Sequence, residues 1–76
     1  MQPYQESSDE SGIAAYQITP TAIIIQFKTG GVYLYNNTRP GRAHIQAMKK
    51  LAKAGDGLNT YINQHVRDNY ARKLGS

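Results

Sequence analysis

Cysteine is absent from the 76 residues. This excludes a disulfide scaffold, a thiolate metal site, a thiol redox motif and a cysteine nucleophile. Long apolar runs are missing too: the longest, Ala22-Ile23-Ile24-Ile25, is far short of the ~20 residues a membrane span needs. No membrane partner is expected. Residues 1–10, MQPYQESSDE, hold neither the basic stretch nor the apolar core of a signal peptide, which points to the cytoplasm. Acids are scarce beyond residue 10, where only Asp56 and Asp68 occur. With these two acids, a paired-carboxylate mechanism, a serine triad or a two-metal centre is hard to assemble. The expectation is a non-enzyme with no catalytic residue and no cofactor. His44 and His65 are too few for a metal site without cysteine or nearby carboxylates. His44 falls on the apolar arc of a helix, where a satisfied, half-buried histidine is the simpler account.

What is present suffices for one thin core. Apolar residues make up 39% of the chain and the mean hydropathy is −0.60, so a single small domain with ~3–5 kcal/mol of net stability is expected. The net charge of +4 is unevenly divided. Residues 1–10 carry Glu6, Asp9 and Glu10, whereas residues 11–76 carry nine basic side chains against two acids, a net +7. A domain this basic concentrates polyanions near its surface. The competing account is that excess lysine serves solubility alone.

Residues 1–10 are polar, with Tyr4 as their one sizeable apolar group, and read as a disordered acidic arm ahead of a single domain over 11–74. Ile13–Ile18 reads as a short strand broken by Thr19-Pro20-Thr21, and Ala22–Phe27 as a second, β-branched strand. Lys28-Thr29-Gly30-Gly31 should form a tight hairpin turn, because glycine takes positive φ at no steric cost. Val32–Tyr35 then returns as a third strand, and residues 36–41 form a loop. From about residue 41 to residue 54 the period becomes helical. Ile45, Met48, Leu51 and Ala52 fall on one half of the wheel, and Arg42, Lys49, Lys50 and Lys53 on the opposite arc. Gly55 stops this helix. A second one should begin near Leu58 with Asp56 as cap, burying Leu58, Ile62 and Val66, while residues 70–74 continue it or fray. The order implies an α+β fold, a three-stranded antiparallel meander followed by two helices packed on one face of the sheet.

Ordered pieces of this pattern resemble a known family. They are Ser11-x-Ile13-x-x-Tyr16, Ile23-x-Ile25-x-Phe27-x-x-Gly30, Tyr33-x-Tyr35, the loop residue Pro40, and Gly57-Leu58-Asn59-Thr60-Tyr61-Ile62-Asn63-x-x-Val66-Arg67-x-x-Tyr70. Together they are similar to the KTSC domain, named for a segment at the C-terminus of some lysyl-tRNA synthetases and found also as stand-alone bacterial and phage proteins. The resemblance runs from about Ser11 to Tyr70. One departure is Asp68, where relatives often carry a small or basic residue. RNA binding has been proposed for the family, and that is the function the resemblance implies.

Candidate site residues follow from charge and chemistry. Tyr33 and Tyr35 share one strand face, and surface tyrosines beside basic residues are stacking platforms for unpaired bases. Register decides their exposure. If Phe27 pairs with Val32, the rings face away from Ile23 and Ile25; a turn one residue longer or shorter places them in the core. Arg42, Lys49, Lys50 and Lys53 form a basic stripe without interspersed acids, suited to phosphates, although a merely solvated face has the same composition. Asn63 and Arg67, one turn apart, can meet a phosphate or base edge or form a structural pair. Arg39 is a further phosphate candidate in its loop. The expected partner is RNA or another single-stranded nucleic acid, bound by a monomer or weak homodimer. The alternatives are a protein-interaction domain, phage-encoded and acting on a host factor, or a small pocket for an anionic, nucleotide-like ligand.

Overall fold

The structure, a computed structural model, describes residues 2–4 and 12–75. It is an α+β fold. Five antiparallel strands lie side by side in chain order: β1 (Gln2–Pro3), β2 (Ile13–Ile18), β3 (Ala22–Phe27), β4 (Val32–Asn36) and β5 (Arg72–Gly75). Between β4 and β5 come helix α1 (Arg42–Ala54) and the short helix α2 (Leu58–Tyr61), which widens into a π-helical turn over Ile62–Val66. Among the described residues no helix is long and apolar enough to cross a membrane.

Both edge strands correct the expected three-stranded meander. At one edge Gln2 and Pro3 pair with Tyr16 and Ala15, and an outermost strand tolerates proline because its outward position needs no donor. The Tyr4 N–H donates to the Ala14 carbonyl at 3.1 Å. Its ring is buried and meets Tyr16 edge-on, with centroids 6.2 Å apart. The expectation of a disordered arm therefore fails at residues 2–4. One aromatic in a polar context found a place in the core, which average composition hides. The remainder of the expected arm lies outside the described residues. At the other edge, residues 72–75 neither extend the helix nor fray. They pair with β4, and the Ala71 N–H donates to Leu34 at 2.8 Å. This strand satisfies backbone groups that a terminal β4 would leave open.

The core lies between one sheet face and the helices. A bulge between Ile13 and Ala15 changes the parity of β2, so that Ile13 and Tyr16 both reach it. Ile23 and Ile25 join them from β3, Ile45 and Met48 from α1, and Leu58, Ile62 and Val66 from the second helical segment, all essentially inaccessible to water. Each such side chain contributes about 1.5–3 kcal/mol by leaving solvent. Helix α1 ends as expected, at Gly55 with φ 71°, and the N–H groups of Gly55 and Asp56 both bond Leu51 O. The start of α2 differs. Asp56 supplies no side-chain cap; Gly57, at φ 81°, holds the position. The Leu58 N–H instead reaches the Tyr4 hydroxyl at 3.4 Å, tying β1 to α2.

Candidate functional site

The hairpin between β3 and β4 determines where the tyrosines go. Gly30 turns with φ 106°, the Gly30 N–H bonds Phe27 O at 2.9 Å, and the Phe27 N–H bonds Gly31 O at 2.8 Å. Lys28-Thr29-Gly30 is thus a three-residue loop with a left-handed last residue. Gln26 then pairs with Val32, Ile25 with Tyr33 and Ile23 with Tyr35. This is the register that turns both rings toward the core. Tyr35, 1% exposed, is a core residue and offers no face to an incoming base, which corrects its candidacy as a stacking platform. Tyr33 is half-buried and packs at the edge of the core. Its ring crosses over Gly31, where a Cβ would lie 2.7 Å from the ring carbon Cε2.

Tyr33 belongs to a ladder of aromatic rings. Phe27 meets it edge-on at 5.6 Å between centroids, and Tyr70 lies tilted against it at 4.7 Å. Tyr70 also meets Tyr35 at 6.3 Å, and the Lys73 ammonium stands 5.8 Å from the Tyr33 centroid. Beside this ladder opens a pocket of about 480 Å³. Phe27, Tyr33 and Tyr70 form its accessible apolar wall, Tyr35 and Ile62 border it from within the core, and the exposed side chains of Thr29, Asn63, Arg67 and Asp68 form its rim. The π-helical turn sets the rim. Ile62 and Val66 anchor it in the core, while Asn63 and the following Arg67 border the pocket. Burial, then the neighbouring Tyr33, Tyr70 and Asp68, pushes the ionisation of Tyr35 well above its ordinary range.

Four of the nine residues singled out from the sequence thus meet in one place: Tyr33, Tyr35, Asn63 and Arg67. The other five do not. Lys49 is a structural residue, its ammonium donating to the carbonyls of Thr19 at 2.7 Å and Pro20 at 3.3 Å, so it ties α1 to the β2–β3 turn. Arg42, Lys50 and Lys53 are exposed on α1. Lys53 borders a second pocket of about 330 Å³ with Gln2, Pro3 and Tyr16, at the β1 edge of the sheet. That pocket includes Ala54 and Gly55, at the negative end of the α1 dipole, which disfavours phosphate. Arg39 Nε donates to Asn69 Oδ1 at 2.8 Å, and the Asn36 side chain caps its loop by accepting from the Thr38 and Arg39 N–H groups.

The histidines come together on another surface. His44 Nδ1 lies 2.7 Å from the Tyr61 hydroxyl, and the His65 ring is 4.5 Å from that of Tyr61. No group of three or more potential metal ligands occurs among the described residues.

Sequence reasoning missed Phe27, Asp68, Tyr70 and Lys73 as neighbours of this pocket. Two of them, Tyr70 and Lys73, depend on the return of the chain as β5. The available signal was the aromatic strand Val32–Tyr35, which ends a meander with an open edge that another segment must cover. No protein-family model, no curated protein and no solved structure matches this chain.

Proposed function

We propose that the protein is a small, cytoplasmic, non-enzymatic module that binds single-stranded nucleic acid, RNA foremost, with the aromatic pocket receiving an unpaired base. The observation that carries this reading is the placement of Tyr33, Asn63 and Arg67 around one pocket with an aromatic wall. A ring system gives stacking area to any base, about 1–3 kcal/mol for each base stacked. Arg67 and Lys73 add positive charge for the adjoining phosphates, in a domain whose residues 11–76 carry a net +7. The resemblance to the KTSC domain points the same way. Relative to the expectation from sequence, this reading centres the site on the helix-covered face near the β4–β5 edge rather than on the α1 stripe.

The test is a fluorescence-anisotropy titration with a mixed-sequence single-stranded RNA and with its duplex. The single strand should bind more tightly, since only its bases are free to enter the pocket. Its affinity should fall by about 0.7 logarithmic units per phosphate neutralised for each tenfold rise in salt. Arg67→Gln should weaken binding and flatten that slope by roughly one contact. Equal binding of strand and duplex, or none at low salt, would refute the reading.

A second reading, a protein-interaction domain, draws support from the outer sheet face. Ile24, Val32 and Leu34, which alternate with the core-facing residues, remain partly exposed there, and Leu74 on the edge strand is 46% exposed. A partner held on that face would be nearly insensitive to salt.

A further inference from the structure

The rim of the aromatic pocket contains an acid, in a region where nearly every other charge is positive. Among the described residues Asp68 is the one carboxylate bordering the pocket, and residues 11–76 hold just one other acid, Asp56, in the turn between Gly55 and Gly57. Among the described residues, Asn63, Arg67 and Asp68 commit no side-chain group to a hydrogen bond or ion pair. An ionised carboxylate beside Arg67 makes the pocket poor for a bare phosphate, because it opposes the anion directly. It is suited to a ligand that is uncharged where it meets Asp68 and presents donors there.

We propose that the pocket selects guanine. The inference rests on the reading of this pocket as a base-binding site. A carboxylate accepts hydrogen bonds and cannot donate them. Guanine is the one common base whose pairing edge offers two adjacent donors, N1–H and the 2-amino group, matched to the two oxygens of Asp68. Adenine presents its N1 lone pair at the corresponding place. Cytosine presents N3 beside a single amino group, and uracil flanks one N–H with two carbonyls, so each sets an acceptor against the carboxylate. The amide of Asn63 supplies a donor for guanine O6, and Arg67 is left to the adjoining phosphate. The walls of Tyr33, Phe27 and Tyr70 hold any base by stacking. Discrimination therefore resides in the rim and general affinity in the wall.

Oligouridine strands carrying one central guanosine, inosine or adenosine test this directly, with the corresponding free 5′-mononucleotides as a second set. Guanosine should bind about tenfold more tightly than adenosine, the scale of one good bidentate contact. Inosine, which keeps N1–H and lacks the 2-amino group, should fall between them. Preference among the free nucleotides as well would identify a nucleotide pocket; preference within the strand alone would identify an RNA reader. Both outcomes support guanine selection. Asp68 is exposed, so Asp68→Asn should fold normally. It should bring the guanosine-to-adenosine ratio toward one while tightening binding of the adenosine strand, because a negative charge has been removed from the pocket rim. Strands that bind alike, with affinity still falling with salt, would overturn guanine selection and leave the base-binding reading standing. Absence of binding by any strand would overturn both.

Discussion

Tyr35 illustrates how one ring can be essential without touching a ligand. It sits on the core face of β4 at 1% exposure, and its removal should cost about 3–5 kcal/mol, as for other large buried aromatics. Its phenol is held in the neutral form by burial, then by Tyr33, Tyr70 and Asp68. The sign of the linkage follows. A folded-state value raised above the ordinary 10.0 means stability that is fully present below about pH 10 and lost as pH rises further. Tyr35→Phe keeps the ring and removes the proton. Its melting temperature should stay near wild type at neutral pH and fall less steeply than wild type between about pH 9 and about pH 11. Parallel alkaline limbs for the two proteins, measured by circular dichroism, would show that Tyr35 ionises as freely folded as unfolded.

At the scale of elements, the edge strands carry the lesson. Alternation and helical period made β2, β3, β4 and α1 legible, with Gly55 as the stop, because each is long enough for several residues to repeat one pattern. The first and last strands are two and four residues long, too short for any period, and their pairing depends on partners distant in the chain. Of the pocket, the sequence showed Asn63 and Arg67 as a pair and left Tyr33 open. Register hinged on a single residue of turn length, and Tyr70 and Lys73 arrive through β5. The N-terminal strand gives a direct test. Tyr4 is buried against Tyr16 and receives the Leu58 N–H, so Tyr4→Ala should destabilise the domain by about 3–5 kcal/mol, whereas Tyr4→Phe should lose only the hydroxyl contact, about 1 kcal/mol. Unchanged melting in Tyr4→Ala would mean that β1 adds nothing to the fold.

For the whole molecule, the question is which basic surface meets the phosphates. The domain extends 31 × 25 × 22 Å, and cations gather near opposite edges of one sheet. Lys53 borders the pocket at the β1 edge, whereas Arg67 and Lys73 flank the aromatic ladder beside β4 and β5. Lys49, central to the α1 stripe, already bonds two carbonyls. A short strand anchored by one base in the aromatic pocket should therefore use the second group of cations and largely ignore the first. Two double variants separate these surfaces at equal change of net charge. Replacing Arg67 and Lys73 by glutamine should reduce the salt slope for a short single-stranded RNA by about 1.4, two contacts at ~0.7 each, and weaken binding accordingly. Replacing Lys50 and Lys53 by glutamine should leave the slope nearly unchanged, since glutamine keeps helix propensity close to that of lysine and both side chains are exposed. The equal charge change matters, because a field effect from net charge alone would lower both affinities alike. If the Lys50 and Lys53 variant lost the larger slope, the phosphates would run along α1 and the aromatic pocket would not be the anchor. Equal, small losses in both variants would mean that charge draws the strand in without fixing where it lies.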